Sequence, residues 1–424
     1  MRIALLSYRT KEHCGGQGVY VRHVSRGLAE LGHDVEVFSG QPYPDDLDPR
    51  VKLTRVPSMD FFREPDPFRT PRPSEFSGAT DLLEYALTLT GCFAEPLTFS
   101  LRAAAILKGR ADDFDVVHDN QSLGYGLLPI MRRGLPLVAT VHHPITRDRR
   151  VELAAATTWR RKLSISRWYS FVPMQARVAR RIPAVLAVAG TSAADSVEDF
   201  DLNPDQMRVV PLGVDTDLYA PSERRVPGRI VAIASADKPL KGLVHLLEAV
   251  AKVRTEHDVH LELVSHLEPG GATEQRIADL GIAESVHVVN GISDAELAAL
   301  LASAEIMCVP SLYEGFSLPT VEAMSCGTPV VATRAGALPE VVGVDESGAS
   351  ACAMLVEPGD ADALAAAIRH LVESPMTRAR LGAAGRRRAL DRYSWTAVAE
   401  ATVAVYTEAI DAMALRRGAH TKDA

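Results

Sequence analysis

Cysteine is scarce in this sequence. Five in 424 residues (Cys14, Cys92, Cys308, Cys326, Cys352) are odd in number and lack metal-ligand spacing. That excludes a disulfide framework and a zinc ribbon, and points to free thiols in a reducing cytoplasm. Long apolar runs are also missing. No stretch reaches the roughly 18 residues of a membrane-spanning helix, and the opening Met1–Ser7 run is too short for a signal peptide. Positive charge is not in excess: the net charge is −8, which excludes bulk attraction to nucleic acid. Several chemical motifs are absent as well. No Gly-x-Gly-x-x-Gly follows the first strand, where residues 15–20 read Gly-Gly-Gln-Gly-Val-Tyr, and there is no Walker-type Gly-Lys-Ser/Thr or His-Glu-x-x-His.

What remains is an ordinary globular composition, 47% apolar and 24% charged, in a chain long enough for two cores. The first 40 residues read as β–loop–α–β. Ile3–Ser7 is a buried strand, Lys11–Gly18 a glycine-bearing loop, Val19–Leu31 a helix stopped by Gly32, and Val35–Phe38 the next strand. Five prolines between 57 and 78 predict a long loop. Strand-like runs recur at Val116–His118, Leu137–Val141 and Val185–Val188. After a linker at Pro221–Gly228 a second series begins, with strands at Ile230–Ala234, Leu261–Val264, Val286–Val289, Ile306–Val309 and Thr328–Thr333. Helices at Val244–Arg254, Glu274–Asp279, Asp294–Ala302 and Asp360–Glu373 alternate with them. Such alternation predicts an α/β fold of two doubly wound parallel sheets, with ligands at the carboxyl ends of the strands. The expected domains are 1–212, 213–392 and a terminal helix over 393–424 that returns to the first.

The most informative stretch is Ser311-Leu-Tyr-Glu-Gly-Phe-Ser-Leu-Pro-Thr-Val-Glu322. Seven residues separate two carboxylates, Glu314 on a glycine-bearing turn and Glu322 one turn into a helix. A helix start with open backbone N–H groups suits an anion, and acceptor-only carboxylates suit pairs of hydroxyls. Gly315 permits close backbone approach and Pro319 fits the first helical turn. Two exposed glutamates flanking a helix start would read the same way from spacing alone.

Extended through Ala-Met-Ser-Cys-Gly-Thr-Pro-Val-Val-Ala-Thr333, this stretch closely resembles the signature of family 4 retaining glycosyltransferases, and the resemblance spans nearly the whole chain. It implies the GT-B architecture, two Rossmann-like domains facing across a cleft. By that resemblance Glu314 binds donor-sugar hydroxyls, and Gly315, Phe316, Ser317 and Leu318 offer backbone contacts to sugar and phosphate. Glu322 accepts from the nucleotide ribose, and the Gly15-Gly16 loop presents N–H groups to the diphosphate. Lys241, before Gly242, would stabilise the departing diphosphate. The family's arginine several residues upstream is missing, since Ala234, Ser235 and Ala236 occupy that region, and either Lys238 substitutes from a different angle or the loop is rearranged. Asp215 and Asp217 have the Asp-x-Asp spacing, but the resemblance places them in the segment entering the second domain, and no metal is implied.

His118, at a strand end in Asp115-Val-Val-His-Asp-Asn120, reads either as a core histidine or, by the resemblance, as a catalytic-site residue lining the sugar pocket. Asn120 and His142 are the acceptor-side candidates. Residues 147–181 hold ten Arg or Lys against Asp148 and Glu152, with Trp159 and Trp168 among them. This stretch reads as a solvated helical face, or as a peripheral contact with an anionic membrane surface. The expected activity is transfer of a sugar from a UDP-, GDP- or ADP-sugar to a hydroxyl acceptor, without cofactor or metal, in the cytoplasm or at the inner face of its membrane. The departing phosphate would help to deprotonate the acceptor. A nucleotide-sugar epimerase or hydrolase of the same fold, and a non-catalytic nucleotide-sugar-binding protein, are the alternatives. Base recognition is expected near Ser265-His266 and Asn290-Gly291.

Overall fold

In a computed structural model, which describes residues 1–10, 16–63, 66–142, 145–234 and 239–420, the chain forms two compact units. One is Met1–Val210 with Val398–Ala424, the other Pro211–Ala397.

The first unit is built on seven parallel strands: β1 (Arg2–Ser7), β2 (Asp34–Ser39), β3 (Lys52–Arg55), β4 (Val116–Asn120), β5 (Leu137–Val141), β6 (Ala184–Ala187) and β7 (Met207–Val209). Their order is β3-β2-β1-β4-β5-β6-β7. The winding direction reverses between β1 and β4, which pair in register from Ile3 with Val116. That reversal opens a crevice at the carboxyl ends of the two strands. The central strands β4 and β5 are buried on both faces, and Leu6, Phe38, Val117 and Leu137 lie in one core cluster.

The second unit repeats the plan with β8 (Arg229–Ile233), β9 (His260–Val264), β10 (Val286–Val289), β11 (Ile306–Val309), β12 (Val330–Thr333) and β13 (Ala353–Val356). The order is β10-β9-β8-β11-β12-β13, again parallel, with the reversal between β8 and β11. Its core gathers Ile230, Leu247, Leu261, Ile306, Val331 and Ile368.

The structure departs from the sequence reading in several places. The first helix spans Gly16–Glu30 and so begins before Val19, because two glycines in its opening turn do not prevent helical backbone. Three edge strands, β3, β7 and β13, are additions. Each has only three or four residues and is partly exposed, and charged residues interrupt β3 and β7, whereas β13 is the short apolar run Ala353–Val356. The proline-rich segment holds one short 3-10 turn, Pro73–Glu75. The terminal helix, Trp395–His420, buries Val398, Thr402, Val405, Tyr406 and Ala409, a stripe at helical spacing packed within the first unit. Among the described residues no helix is long and apolar enough to cross a membrane. Cys92, Cys308, Cys326 and Cys352 are free thiols.

Candidate active site

In the second unit the strand ends at β8, β11 and β12 carry three loops that lock together. Lys241 closes a 3-10 turn, Pro239–Lys241. Gly242 follows at φ +62, where a Cβ would lie 2.0 Å from the Pro310 carbonyl oxygen, so only glycine lets the two loops approach. The Leu312 N–H donates to the Leu240 carbonyl at 2.8 Å and seals that contact. Glu314 is fixed from both sides. Its Oε1 accepts from Lys241 Nζ at 2.7 Å and from Ser311 Oγ at 2.8 Å. Its backbone carbonyl accepts from the Ala337 N–H at 2.9 Å. The Lys241 side chain keeps a third of its surface exposed.

Immediately beyond, Ser317 adopts a left-handed backbone (φ 83) at the N-cap position of the helix Leu318–Ser325, where its hydroxyl lies 2.8 Å from that of Thr320 and makes no cap to a backbone N–H. Non-glycine residues rarely take this conformation, and those that do concentrate at functional sites. The Phe316 side chain turns inward and meets the Tyr393 ring edge-on, 5.8 Å between centroids. Only the backbone of Phe316 therefore remains for a ligand. Glu322, on the second turn of that helix, is partly exposed, and its carboxylate has no hydrogen-bonding or ion-pair partner among the described residues. Burial, with a smaller contribution from Asp294, pushes its pKa up to about 7. An unpaired carboxylate with a raised pKa beside a helix start marks a candidate ligand site.

In the first unit, the carboxyl ends of β1, β4 and β5 share a polar network. Asn120, fully buried, donates from Nδ2 to Ser7 Oγ at 3.3 Å. Its Oδ1 accepts from His142 Nε2 at 2.8 Å, which fixes the proton of that ring on Nε2. The His142 N–H donates to Gln121 Oε1 at 2.8 Å, and Tyr20 meets the ring edge-on at 4.9 Å. His142 is partly exposed and can meet a ligand, whereas Asn120 acts by holding it.

His118 does not line a sugar pocket. It is fully buried, and its two nitrogens are taken by Tyr406 Oη at 2.6 Å and Thr140 Oγ1 at 2.7 Å. Burial holds its pKa down to about 3, so the ring is neutral. Its role is to bind the terminal helix to the end of β4. Gly16 is the first residue of the helix Gly16–Glu30, where N–H groups lack intrahelical acceptors. Gly15, Lys238, Ser235, Ala236 and His143 lie outside the described residues.

No motif in the sequence assigns a role to Ser311, Thr140, Tyr20 or Tyr406. Ser311 sits three residues from Glu314 and was within reach of a local reading, but the contacts of the others join distant positions. Among the described residues no group of three or more His, Cys, Asp or Glu is placed to hold a metal ion.

Two family models cover most of the chain, the glycosyl transferase 4-like domain over residues 15–213 and glycosyl transferases group 1 over 218–388. An MMP alpha-(1->4)-mannosyltransferase from Mycolicibacterium hassiacum is 65% identical over 410 residues, 97% of this chain and 98% of the relative. The chain belongs to glycosyltransferase family 4. A D-inositol 3-phosphate glycosyltransferase from Geodermatophilus obscurus is 30% identical over 97% of this chain and 90% of its own length. In fold the enzyme is similar to sucrose-phosphate synthase from Thermosynechococcus elongatus (TM-score 0.68, 22% identity, 97% of this chain and 100% of that one). It is also similar to Anabaena HepE in complex with UDP and glucose (TM-score 0.67, 17% identity, 96% and 99%). This glycosyltransferase is thus a GT-B enzyme with two Rossmann-like parallel-sheet domains. It moves a sugar from a nucleoside-diphosphate sugar to a hydroxyl acceptor with retention of configuration.

Proposed function

We propose that the enzyme is a mannosyltransferase that forms an α-(1→4) linkage, using a nucleoside-diphosphate mannose. The observation that carries this reading is the 65% identity to an MMP alpha-(1->4)-mannosyltransferase over nearly the full length of both chains. In the second unit Lys241 takes the diphosphate, Glu314 the sugar hydroxyls and Glu322 the ribose. The backbone of Gly315–Leu318 completes the anion site. The base meets the ends of β9 and β10, where Asn290 Nδ2 lies 2.9 Å from His266 Nδ1. In the first unit His142, held by Asn120, serves the acceptor.

The acceptor oxygen forms a bond to the anomeric carbon on the face from which the phosphate oxygen departs. The acceptor proton passes to that phosphate oxygen, giving the glycoside and a nucleoside diphosphate. No metal is needed in this scheme, since Lys241 and backbone N–H groups supply the positive charge. Activity should persist in EDTA, and its loss with recovery on adding a divalent cation would overturn that part.

Incubation with GDP-, UDP- and ADP-mannose and an α-mannoside acceptor, with linkage analysis of the product, tests the whole reading. One nucleotide should support α-(1→4) mannosyl transfer. Transfer of a different sugar, or a different linkage, would overturn it.

The same proposal places the enzyme in the cytoplasm, with peripheral membrane contact on one helix, Trp159–Trp168. Arg147, Arg150 and Arg180 of the basic stretch are ion-paired with Asp195, Asp199 and Asp201. Arg160, Lys162 and Arg167 instead project from this helix together with Trp159 (70% exposed) and Leu163 (42%). Co-sedimentation with anionic vesicles at low salt is expected, and its absence would remove the membrane contact.

A further inference from the structure

Beside the end of β1, aromatic and charged side chains from three distant segments meet. Arg9, two residues past β1, forks onto Glu95, with Nε to Oε2 at 2.6 Å and a terminal nitrogen to Oε1 at 2.8 Å. The guanidinium lies over the Phe62 ring at 4.6 Å and near the Phe93 ring at 5.6 Å. Phe62 meets Phe93 at 5.6 Å and Trp168 at 5.8 Å, and Phe93 stacks on Trp168 at 5.2 Å with 29° between the planes. Phe68, 58% exposed and at φ 59, extends the cluster from Phe62 at 5.2 Å.

Phe62, Phe93 and Trp168 are each only partly buried, so the cluster is a surface feature rather than a sealed core. It also orders part of the proline-rich segment, which has almost no regular structure to hold it, and Phe68 adopts a backbone that bulky residues avoid. Partly buried aromatics beside a planar charged pair suit one ligand chemistry well. A pyranose ring has an apolar C–H face, which an electron-rich aromatic face attracts, and a rim of adjacent hydroxyls. The Arg9 fork fixes the Glu95 carboxylate, and each carboxylate oxygen keeps a second lone pair that can accept from that rim. The location agrees, because ligands on such sheets gather at the carboxyl end of β1.

We propose that Arg9, Glu95, Phe62, Phe93 and Trp168 form a pyranose-binding subsite for the acceptor glycan. The proposal rests on the mannosyltransferase reading for the identity of that glycan. The subsite holds a sugar ring of the acceptor, and Phe68 flanks it.

Steady-state kinetics with α-(1→4)-mannotetraose as acceptor tests it. Phe62→Ala and Arg9→Gln should each raise the acceptor KM about tenfold or more and leave the donor KM unchanged. An unchanged acceptor KM overturns the subsite while mannosyl transfer stands. Should the wild type transfer no mannose, the functional reading fails separately, and binding is then read directly. Mannotetraose should change the tryptophan fluorescence of the wild type, and Trp168→Phe, which leaves Trp159 and Trp395, should abolish that change. A fluorescence response that survives Trp168→Phe, or no response in the wild type, overturns the subsite. The fluorescence measurement also decides the case if the kinetic variants fail to fold.

Discussion

The Tyr406 hydroxyl lies 2.6 Å from Nδ1 of His118, and 288 positions separate the two residues in sequence. The contact joins the terminal helix to the end of β4 inside the first unit. Tyr406→Phe would leave a fully buried ring nitrogen without that partner, at a cost of about 1–3 kcal/mol. Urea denaturation should show a lower midpoint with an unchanged slope. A variant as stable as the parent would show that the contact holds nothing in place.

His118 also makes stability depend on pH. Its folded pKa of about 3 lies below the ordinary 6.5, so the unfolded chain takes up a proton that the folded one resists. The stabilisation is complete above pH 6.5 and is lost as pH falls from 6.5 toward 3, at up to about 1.4 kcal/mol per pH unit. Urea midpoints across that range should fall less steeply in His118→Gln than in the parent. Parallel slopes would contradict a buried neutral ring.

Glu314 is held by Lys241, Ser311 and the Ala337 N–H. Its replacement by alanine should lower kcat/KM roughly 10- to 150-fold, the worth of one or two hydrogen bonds to a charged group. Thermal stability should change little, because the Lys241 pair is partly exposed. Transfer at the wild-type rate would remove Glu314 from the site.

Glu322 should make donor binding sensitive to acid. With a pKa of about 7 in the free enzyme, it loses its full acceptor capacity as pH falls through neutrality. Nucleoside diphosphate affinity, measured by calorimetry between about pH 5.5 and 8.5, should weaken on the acid side of that value. Glu322→Gln should bind more weakly at high pH and show a flatter profile. An unchanged pH profile in that variant would assign the dependence elsewhere.

The parts of the fold legible from sequence are those that local forces set. Central strands such as Ile306–Val309 are unbroken apolar runs because both faces are buried, while the edge strands Lys52–Arg55 and Met207–Val209 are short and half exposed. The Glu314–Glu322 segment is a continuous stretch whose glycine, proline and carboxylates act within a few residues of one another. What could not be read is set by distance. Lys241 meets Glu314 over 73 positions, Arg9 meets Glu95 over 86, and the burial of His118 depends on Tyr406 over 288. A histidine at a strand end looks the same in sequence whether it faces ligand or core. Only the residues that cover it decide.

Lys241 already has a counter-ion within the protein. Under the proposed donor reading, an incoming diphosphate competes with Glu314 for that ammonium, and the released carboxylate then becomes available to the sugar hydroxyls. Donor recognition is therefore an exchange of partners rather than the filling of a vacancy. A nucleoside monophosphate too short to reach Lys241 would leave Glu314 clamped, and the protein would discriminate against it twice, once at the phosphate and once at the sugar.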